Sequence, residues 1–279
     1  MLLNNLRIVS TWLLMGGIAF ATEVPVEKPT NPLVQKGEDL EIDSDSGVTC
    51  EKDGSRCKAS GKIHVKQGPW VMTCKNLDVT FQKNEKGMQE IHGIEATGQV
   101  HIVQASAGYD ITAGRATYVH GSQIMDLYEN PILTQKDMKL VNSNHVQVRY
   151  QEGQATATGR PTVLKADKIL QANTLVLHFT PGHGSQKETG KGHGTTLDHL
   201  DAEGDVIVSG PQEIATGNRG RYVHATQGAE LEGDVTLAQC NKAIQGDRAV
   251  FDLATGQSQM LYAKGSNRRV QAILTPENK

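Results

Sequence analysis

A short phrase recurs along the chain: a small residue, then Gly, a polar residue and an apolar-x-apolar triplet. Clear copies span residues 59–65, 96–102, 202–208 and 231–237. Weaker copies at 127–133 and 157–163 carry Asn130 and Gly159 as their markers. Repeats of this kind build quasi-linear structures in which each unit packs mainly on its neighbours. We therefore predict one long structure rather than several compact lobes.

A second alternating segment follows each phrase, as in residues 76–81, 145–150, 173–179 and 246–253. Strict apolar–polar alternation indicates a strand with one apolar and one polar face. Residues 40–275, divided by roughly 14 residues per strand and turn, give about 16 antiparallel strands in an all-β fold. The leading Gly or Asn is expected where the chain turns into a strand, because that position tolerates a positive φ.

The first 21 residues have the pattern of a signal peptide. Arg7 is followed by the apolar run 8–18, and Ala19-Phe20-Ala21 fits the small-x-small cleavage rule. The run is too short to span a bilayer comfortably, so cleavage is favoured over an uncleaved anchor. No Cys follows the run, which leaves a lipoprotein anchor unsupported. We expect export to the periplasm.

Composition divides the rest of the chain into three parts. Residues 22–39 contain three prolines and few large apolar groups, which predicts a flexible arm. The repeated phrases place a single β domain at 40–276. Residues 181–197 break the alternation and are rich in Gly and His, which predicts a loop insertion in that domain.

The four cysteines allow three disulfide connectivities. Asp53-Gly54 is a hairpin-turn signal, and a turn centred there places Cys50 opposite Cys57. We therefore favour a Cys50–Cys57 disulfide, with Cys57–Cys74 as the rival. A zinc half-site at Cys50 and Cys57 is less favoured, because no Cys-x-x-Cys accompanies it.

Charge and motifs argue against several functional classes. With 28 Lys and Arg against 31 Asp and Glu, the net charge of −3 offers no basic excess for a nucleic acid. Gly184 to Lys191 lacks the spacing of a phosphate-binding loop, and neither Gly-x-Ser-x-Gly nor His-Glu-x-x-His occurs. Asp198 and His199 are adjacent in the sequence, but adjacent strand residues are expected to point to opposite faces, which argues against their acting together in hydrolysis.

Histidines flank and occupy the insertion. Their positions are His178, His183, His193 and His199. Their spacing matches no closed metal motif, and the Gly-rich flanks give little preorganisation, so solvated histidines are favoured over a metal site.

Longer stretches resemble a known family. Residues 231–237, 244–251, 256–263 and 268–276 look like the OstA-like (LptA) family, the periplasmic bridge proteins of lipopolysaccharide export. Residues 59–68 resemble the first strand pair of that family equally well. The resemblance spans about residues 40–276, although this chain is longer, with extra repeat units around 90–180. It implies an elongated, twisted, incompletely closed antiparallel β-jelly roll.

The same resemblance implies a function. The chain would bind lipopolysaccharide, shield its acyl chains in an apolar groove and bridge OstA-like domains of inner- and outer-membrane components. Head-to-tail self-association through strand edges is also expected. No enzymatic activity, cofactor, metal ion or nucleic acid is expected. The alternatives are a periplasmic scaffold that pairs strand edges without lipid and, less favoured, a carbohydrate-active β-solenoid enzyme.

The alternation selects the residues expected to line such a groove. They are Ile63, Val65, Leu77, Val79, Phe81, Val100, Ile102, Val146, Val148, Leu175, Leu177, Val206, Val208, Val235 and Leu237. A simpler interpretation is that these side chains pack against each other as an ordinary core.

Overall fold

The described residues form one continuous antiparallel sheet of 20 strands. The computed structural model describes residues 39–85, 87–105, 108–135, 137–180, 196–239, 242–255, 257–262 and 270–274. The predicted signal peptide, Cys240 and nearly all of the predicted arm and insertion lie outside these ranges. Within them, no helix combines the length and apolar character needed to cross a membrane.

The strands follow one another closely along the chain. They are β1 (Glu41–Ser44), β2 (Val48–Cys50), β3 (Arg56–Gln67), β4 (Trp70–Lys83), β5 (Gln89–Gln104), β6 (Tyr109–Val119), β7 (Ile124–Tyr128), β8 (Ile132–Gln135), β9 (Met138–Val141), β10 (His145–Arg149), β11 (Gln154–Thr158), β12 (Thr162–Lys165), β13 (Lys168–Gln171), β14 (Thr174–Thr180), β15 (Thr196–Ser209), β16 (Glu213–Val223), β17 (Gly228–Gln239), β18 (Lys242–Asp252), β19 (Gln257–Leu261) and β20 (Gln271–Leu274).

Long strands and end-to-end pairs of short strands form the rungs of this sheet. The long strands are β3 to β6 and β15 to β18, whereas β7 and β8, for example, lie beside different halves of β6. The all-β antiparallel prediction is confirmed. The number of strands exceeds the expected 16, because several rungs are interrupted in the middle and count as two strands each. The strand β15 also begins at Thr196, so that it includes the last two residues of the insertion predicted at 181–197.

A fold line crosses the middle of every rung and divides the sheet into two halves. The pairing register of the long strands shifts there, as between Ser60 and Ile63 in β3 or Glu203 and Val206 in β15. The markers of the repeated phrase lie on this line, and all have positive φ, at residues 61, 98, 130, 159, 204 and 233. The expectation that the markers precede strands holds for Asn130 and Gly159, which lie ahead of β8 and β12. It is wrong for the other four markers, which lie inside long strands, because the chain bends at them and then continues in the second half of the same rung.

Close Gly–Asn contacts run along the fold line. The backbone N–H of Asn173 donates to the carbonyl oxygens of Glu203 and Gly204, at 3.1 and 2.8 Å. A Cβ placed on Gly204, whose φ is +75°, would lie 2.5 Å from Nδ2 of Asn173. Gly159 meets Asn144 in the same way. The bend therefore requires glycine for both conformation and space.

The bend brings the apolar faces of the two halves together. Val65 and Met72 of one half and Leu77, Val79 and Ile94 of the other line one enclosed pocket. The buried apolar side chains form a single cluster that extends from Ala59 to Leu253. The core is thus a long layer between two halves of one sheet, as in a sandwich of two stacked sheets.

The two ends of the sheet are not paired with each other among the described residues. At one end β1 and β2 pair with β3, and at the other β19 and β20 pair with β18. Cys50 and Cys57 form a disulfide between β2 and β3, in the register that the Asp53-Gly54 turn predicts. Among the described strands, no hydrogen-bonded pairing therefore joins the two ends of the sheet.

The second part of the chain repeats local geometry of the first. His92 and Asp198 are each the extra residue of a β-bulge, and each accepts a 2.9 Å backbone hydrogen bond, from His120 and His224 respectively. The rings of Tyr118 and His120 are 6.3 Å apart at 71°, and those of Tyr222 and His224 are 6.4 Å apart at 70°. This correspondence indicates two copies of one structural unit.

Replacing Gly204 by Ala tests the fold line. We expect the free energy of unfolding to fall by about 1–3 kcal/mol, because the new Cβ meets Asn173 and the backbone has a positive φ. Urea unfolding followed by circular dichroism measures the change. Gly121→Ala is the matched control, since its Cβ would meet nothing within 4 Å. Equal midpoints for the two variants would contradict this account of the bend.

Candidate functional site

The two inward faces of the sheet form the candidate site. Of the residues selected by alternation, most are buried: Ile63, Val65, Leu77, Val79, Val100, Ile102, Val146, Val148, Leu175, Val206 and Val235. Phe81, Leu177, Val208 and Leu237 are partly buried and pack against the same cluster. The fold thus brings the whole predicted set onto one continuous apolar surface.

The sequence selection omitted many members of that surface. Met125 and Leu127 in β7 and Ile94 in β5 are buried and occupy the alternating inward positions of their strands. The same period of two marks them in the sequence. Small residues such as Ala96 and Ala116 complete the surface at 0% exposure, and their size gave no hydrophobic signal.

The two faces contact each other, with little free space between them. The pocket lined by Leu40, Val65, Met72, Leu77 and their neighbours has a volume of about 10 Å³. A cavity of this size is at the lower limit for a single water molecule. Around these residues, the space between the two faces is filled by their own side chains.

Buried polar groups lie far from the fold line, where β3 ends, β4 begins and β5 ends. We call this region the open edge. Trp70 pairs with Gln67 across the β3–β4 turn, and its ring centre is 5.8 Å from that of Tyr109. Within the described residues, the Trp70 Nε1 and Gln104 Oε1 atoms are buried without a hydrogen-bond partner. Each such group loses its hydration without compensation in the closed conformation.

Cys74 lies on the inward face close to the fold line. It is opposite Ile63 and 5% exposed. Burial raises the pKa of its thiol to about 11, because the apolar surroundings disfavour the thiolate. The sulfur therefore behaves as a small apolar group of the core.

The outward faces carry cross-strand ion pairs. Arg56 donates to both carboxylate oxygens of Asp78, at 2.7 and 2.5 Å, and these bonds hold the pKa of Asp78 below its usual value. Arg248 pairs with Glu230 in the same manner and lowers the pKa of that carboxyl. The protein is thus apolar between its halves and polar outside.

A second cluster lies on the outward face at the base of the insertion. His178 and His199 are directly opposite each other in β14 and β15. Their ring centres are 4.1 Å apart with 12° between the planes. His183 and His193 lie outside the described residues. Strand pairing thus joins two histidines whose spacing in the sequence indicated no site.

Asp198 and His199 do not point to opposite faces, contrary to expectation. The Asp198 carboxylate accepts a hydrogen bond from Nδ1 of His199 at 2.7 Å. The reason is the β-bulge in β15: His178 pairs with His199 and Phe179 with Leu197, so that Asp198 is the extra residue. A bulge interrupts the alternation of side chains and re-aims one of them.

Comparison with known proteins identifies the family. The family described as "LptA/(LptD N-terminal domain) LPS transport protein" matches residues 41–141 and again residues 140–257. The chain belongs to this family. The two successive matches agree with the repeated bulges and Tyr–His pairs, so the chain contains two family units. The resemblance found in the sequence is confirmed, and this transport family is not a known enzyme class.

Two individual proteins that resemble this chain do so at low sequence identity. An uncharacterized protein of Rhizobium meliloti (strain 1021) is 24% identical over 140 residues, which are 50% of this chain and 72% of that protein. A crystal structure of LptH, the LptA homologous periplasmic component of the conserved lipopolysaccharide transport device from Pseudomonas aeruginosa, is 16% identical. It covers 50% of this chain and 95% of its own, with a TM-score of 0.39.

The reactivity of Cys74 tests the closed conformation. In a Cys240→Ser variant with the Cys50–Cys57 disulfide intact, iodoacetamide at pH 8 should alkylate Cys74 at least 100-fold more slowly than an unfolded-chain thiol. A thiol of pKa about 11 is only roughly 0.1% thiolate at that pH, and the site is also shielded. Mass spectrometry follows the reaction, with the same variant in urea as control. Rapid alkylation of the folded protein would contradict the buried position.

Proposed function

We propose that this chain is a periplasmic carrier of lipopolysaccharide that holds acyl chains between its two inward faces. It would bridge inner- and outer-membrane components of the export machinery. The single observation that carries the proposal is the unbroken apolar surface that runs through both family units. Membership in a lipopolysaccharide transport family supports the same ligand.

The physical need for such a surface is large. Each methylene exposed to water costs about 0.8 kcal/mol, so a twelve-carbon acyl chain in water costs roughly 9 kcal/mol. The inward faces consist mostly of Val, Leu, Ile and Ala, which offer contact without strong directional bonds. Such a surface can hold a chain and still let it slide along the sheet.

Loading requires the two faces to separate. The pocket of about 10 Å³ cannot hold an acyl chain, so the lipid must replace contacts between the faces. Acyl chains would then cover the same side chains that now cover each other, and the buried apolar area is largely conserved. Hydration of Trp70 Nε1 and Gln104 Oε1 on opening offsets part of the remaining cost.

The unpaired ends of the sheet suggest how copies or partners would connect. The outer sides of β1 and β2 and of β19 and β20 present strand edges among the described residues. Exposed edges can accept a strand from another chain. A contact between opposite ends is heterologous and can extend without closing. The inward faces would then continue from one copy to the next.

Photo-crosslinking at neighbouring positions tests lipid contact. A photoreactive residue at the partly buried Phe81 or Leu237 should give lipopolysaccharide adducts in cells, because both side chains face inward. The matched controls point outward from the same strands. They are Gln82, which follows Phe81, and Thr236, which precedes Leu237. Adducts are detected as mobility shifts that react with a lipopolysaccharide antibody.

Two outcomes would contradict the carrier. Absence of adducts at Phe81 and Leu237, with the variants exported and folded, would leave the scaffold that pairs strands without lipid. Equal yields at inward and outward positions would show that lipid does not select the apolar faces.

Light scattering at rising protein concentration tests the connection between edges. We expect the mean mass to increase steadily, because a heterologous contact does not close. Ile273→Pro is informative, since β20 forms the outer edge and proline disrupts strand pairing. This variant should remain smaller than the parent at each concentration. A parent protein of constant monomeric mass would refute self-association without affecting the lipid proposal.

A further inference from the structure

The outward cluster of His178, His199 and Asp201 has the composition of a metal site. One ligating atom from each residue lies within 4.8 Å of the other two. Asp201 Oδ2 is 3.8 Å from Nε2 of His178 and 3.6 Å from Nε2 of His199. Ligands bound to zinc at about 2.0–2.2 Å are roughly 3.3 Å apart, so small side-chain rotations suffice to bring these atoms to one ion.

Asp198 supplies an independent feature of metal sites. Its Oδ2 is 2.7 Å from Nδ1 of His199, a contact in which Nδ1–H donates to the carboxylate, and Nε2 of the same ring faces Asp201. Metal-bound histidines usually donate their second ring N–H to a carboxylate or carbonyl in this way. The β-bulge at Asp198 creates the arrangement, because a regular strand would point this residue to the other face.

Neighbouring charge leaves one oxygen of Asp201 available. Arg221 approaches the opposite carboxylate oxygen, with Nε 3.5 Å from Oδ1, while Oδ2 faces the two imidazoles. The His178 and His199 side chains are 30% and 18% exposed, so an ion can reach them from solvent. Two imidazoles and one carboxylate, with remaining positions open to water, suit zinc and related ions.

The first family unit provides an internal comparison. The same bulge occurs there with His92 as the extra residue, but Thr80 pairs with Gly93 where His178 pairs with His199. The bulge therefore belongs to the fold, whereas the ligand set is particular to the second unit.

We propose that His178, His199 and Asp201 bind one divalent transition-metal ion such as Zn²⁺ at the base of the 181–195 segment, with Asp198 orienting His199. The ion would join β14 to β15 where the chain leaves and re-enters the sheet. The site lies on the outward face and is independent of the proposed lipid function.

Calorimetric titration with ZnCl₂ tests the site in the untagged chain purified from the periplasm and stripped with a chelator. We expect one equivalent to bind, and His178→Ala or His199→Ala to weaken the affinity by more than tenfold. Asp198→Asn should weaken it by about 10–100-fold at unchanged stoichiometry, because the orienting bond is lost. His101→Ala is the matched control: this outward histidine also contacts a carboxylate, Asp110, and should leave the affinity within twofold.

Thermal unfolding gives a second readout. Zn²⁺ at about 100 times its dissociation constant should raise the melting temperature by roughly 5 °C or more in the parent and in His101→Ala, but not in His178→Ala. Circular dichroism spectra establish that the variants are folded. Absence of saturable binding by the parent would overturn the proposal. Unchanged affinity in both His178→Ala and His199→Ala would also overturn it.

Discussion

Apolar contact between the two halves of a single bent sheet is the interaction on which this structure depends. Each half carries apolar side chains such as Val, Leu and Ile at every second position, and exposing that face to water would be unfavourable. Each half therefore covers the apolar face of the other. The contact requires every rung to bend at the same place. Glycines such as Gly159 and Gly204 meet that requirement, because a Cβ at either position would collide with Asn144 or Asn173. Sequence repetition thus follows from a bend that recurs in each rung.

Alternation alone predicted the inward faces, because a period of two leaves no other assignment for Val79, Val146 or Val235. The repeated Gly or Asn predicted a special backbone conformation but was placed at strand starts, since a sequence does not distinguish a bend within a rung from a turn between rungs. Asp198 and His199 were expected on opposite faces, and the expectation failed because a β-bulge leaves no mark in the alternation of the sequence. The pairing of His178 with His199 depends on which strands meet across the insertion, which spacing along the chain does not reveal.

The filled interior changes how a carrier of this kind would operate. An open trough would expose its aliphatic surface to water whenever it is empty. Faces that close on each other avoid that cost, and lipid then exchanges one apolar contact for another. The buried Trp70 Nε1 and Gln104 Oε1 atoms at the open edge are stabilised by water only when the faces part. In the proposed carrier, loading would therefore depend on movement at the fold line.

Measuring the distance between the two halves with and without lipid is therefore the most direct test of the account. Spin labels at Val71 and Lys83 lie near opposite ends of β4, so their distance reports the bend of one strand. Pulsed electron resonance is carried out on a Cys240→Ser background before and after addition of lipopolysaccharide. The account predicts a short distance in the empty protein and a longer one after loading. Lipid binding with an unchanged distance would contradict the opening of the faces and place the acyl chains elsewhere.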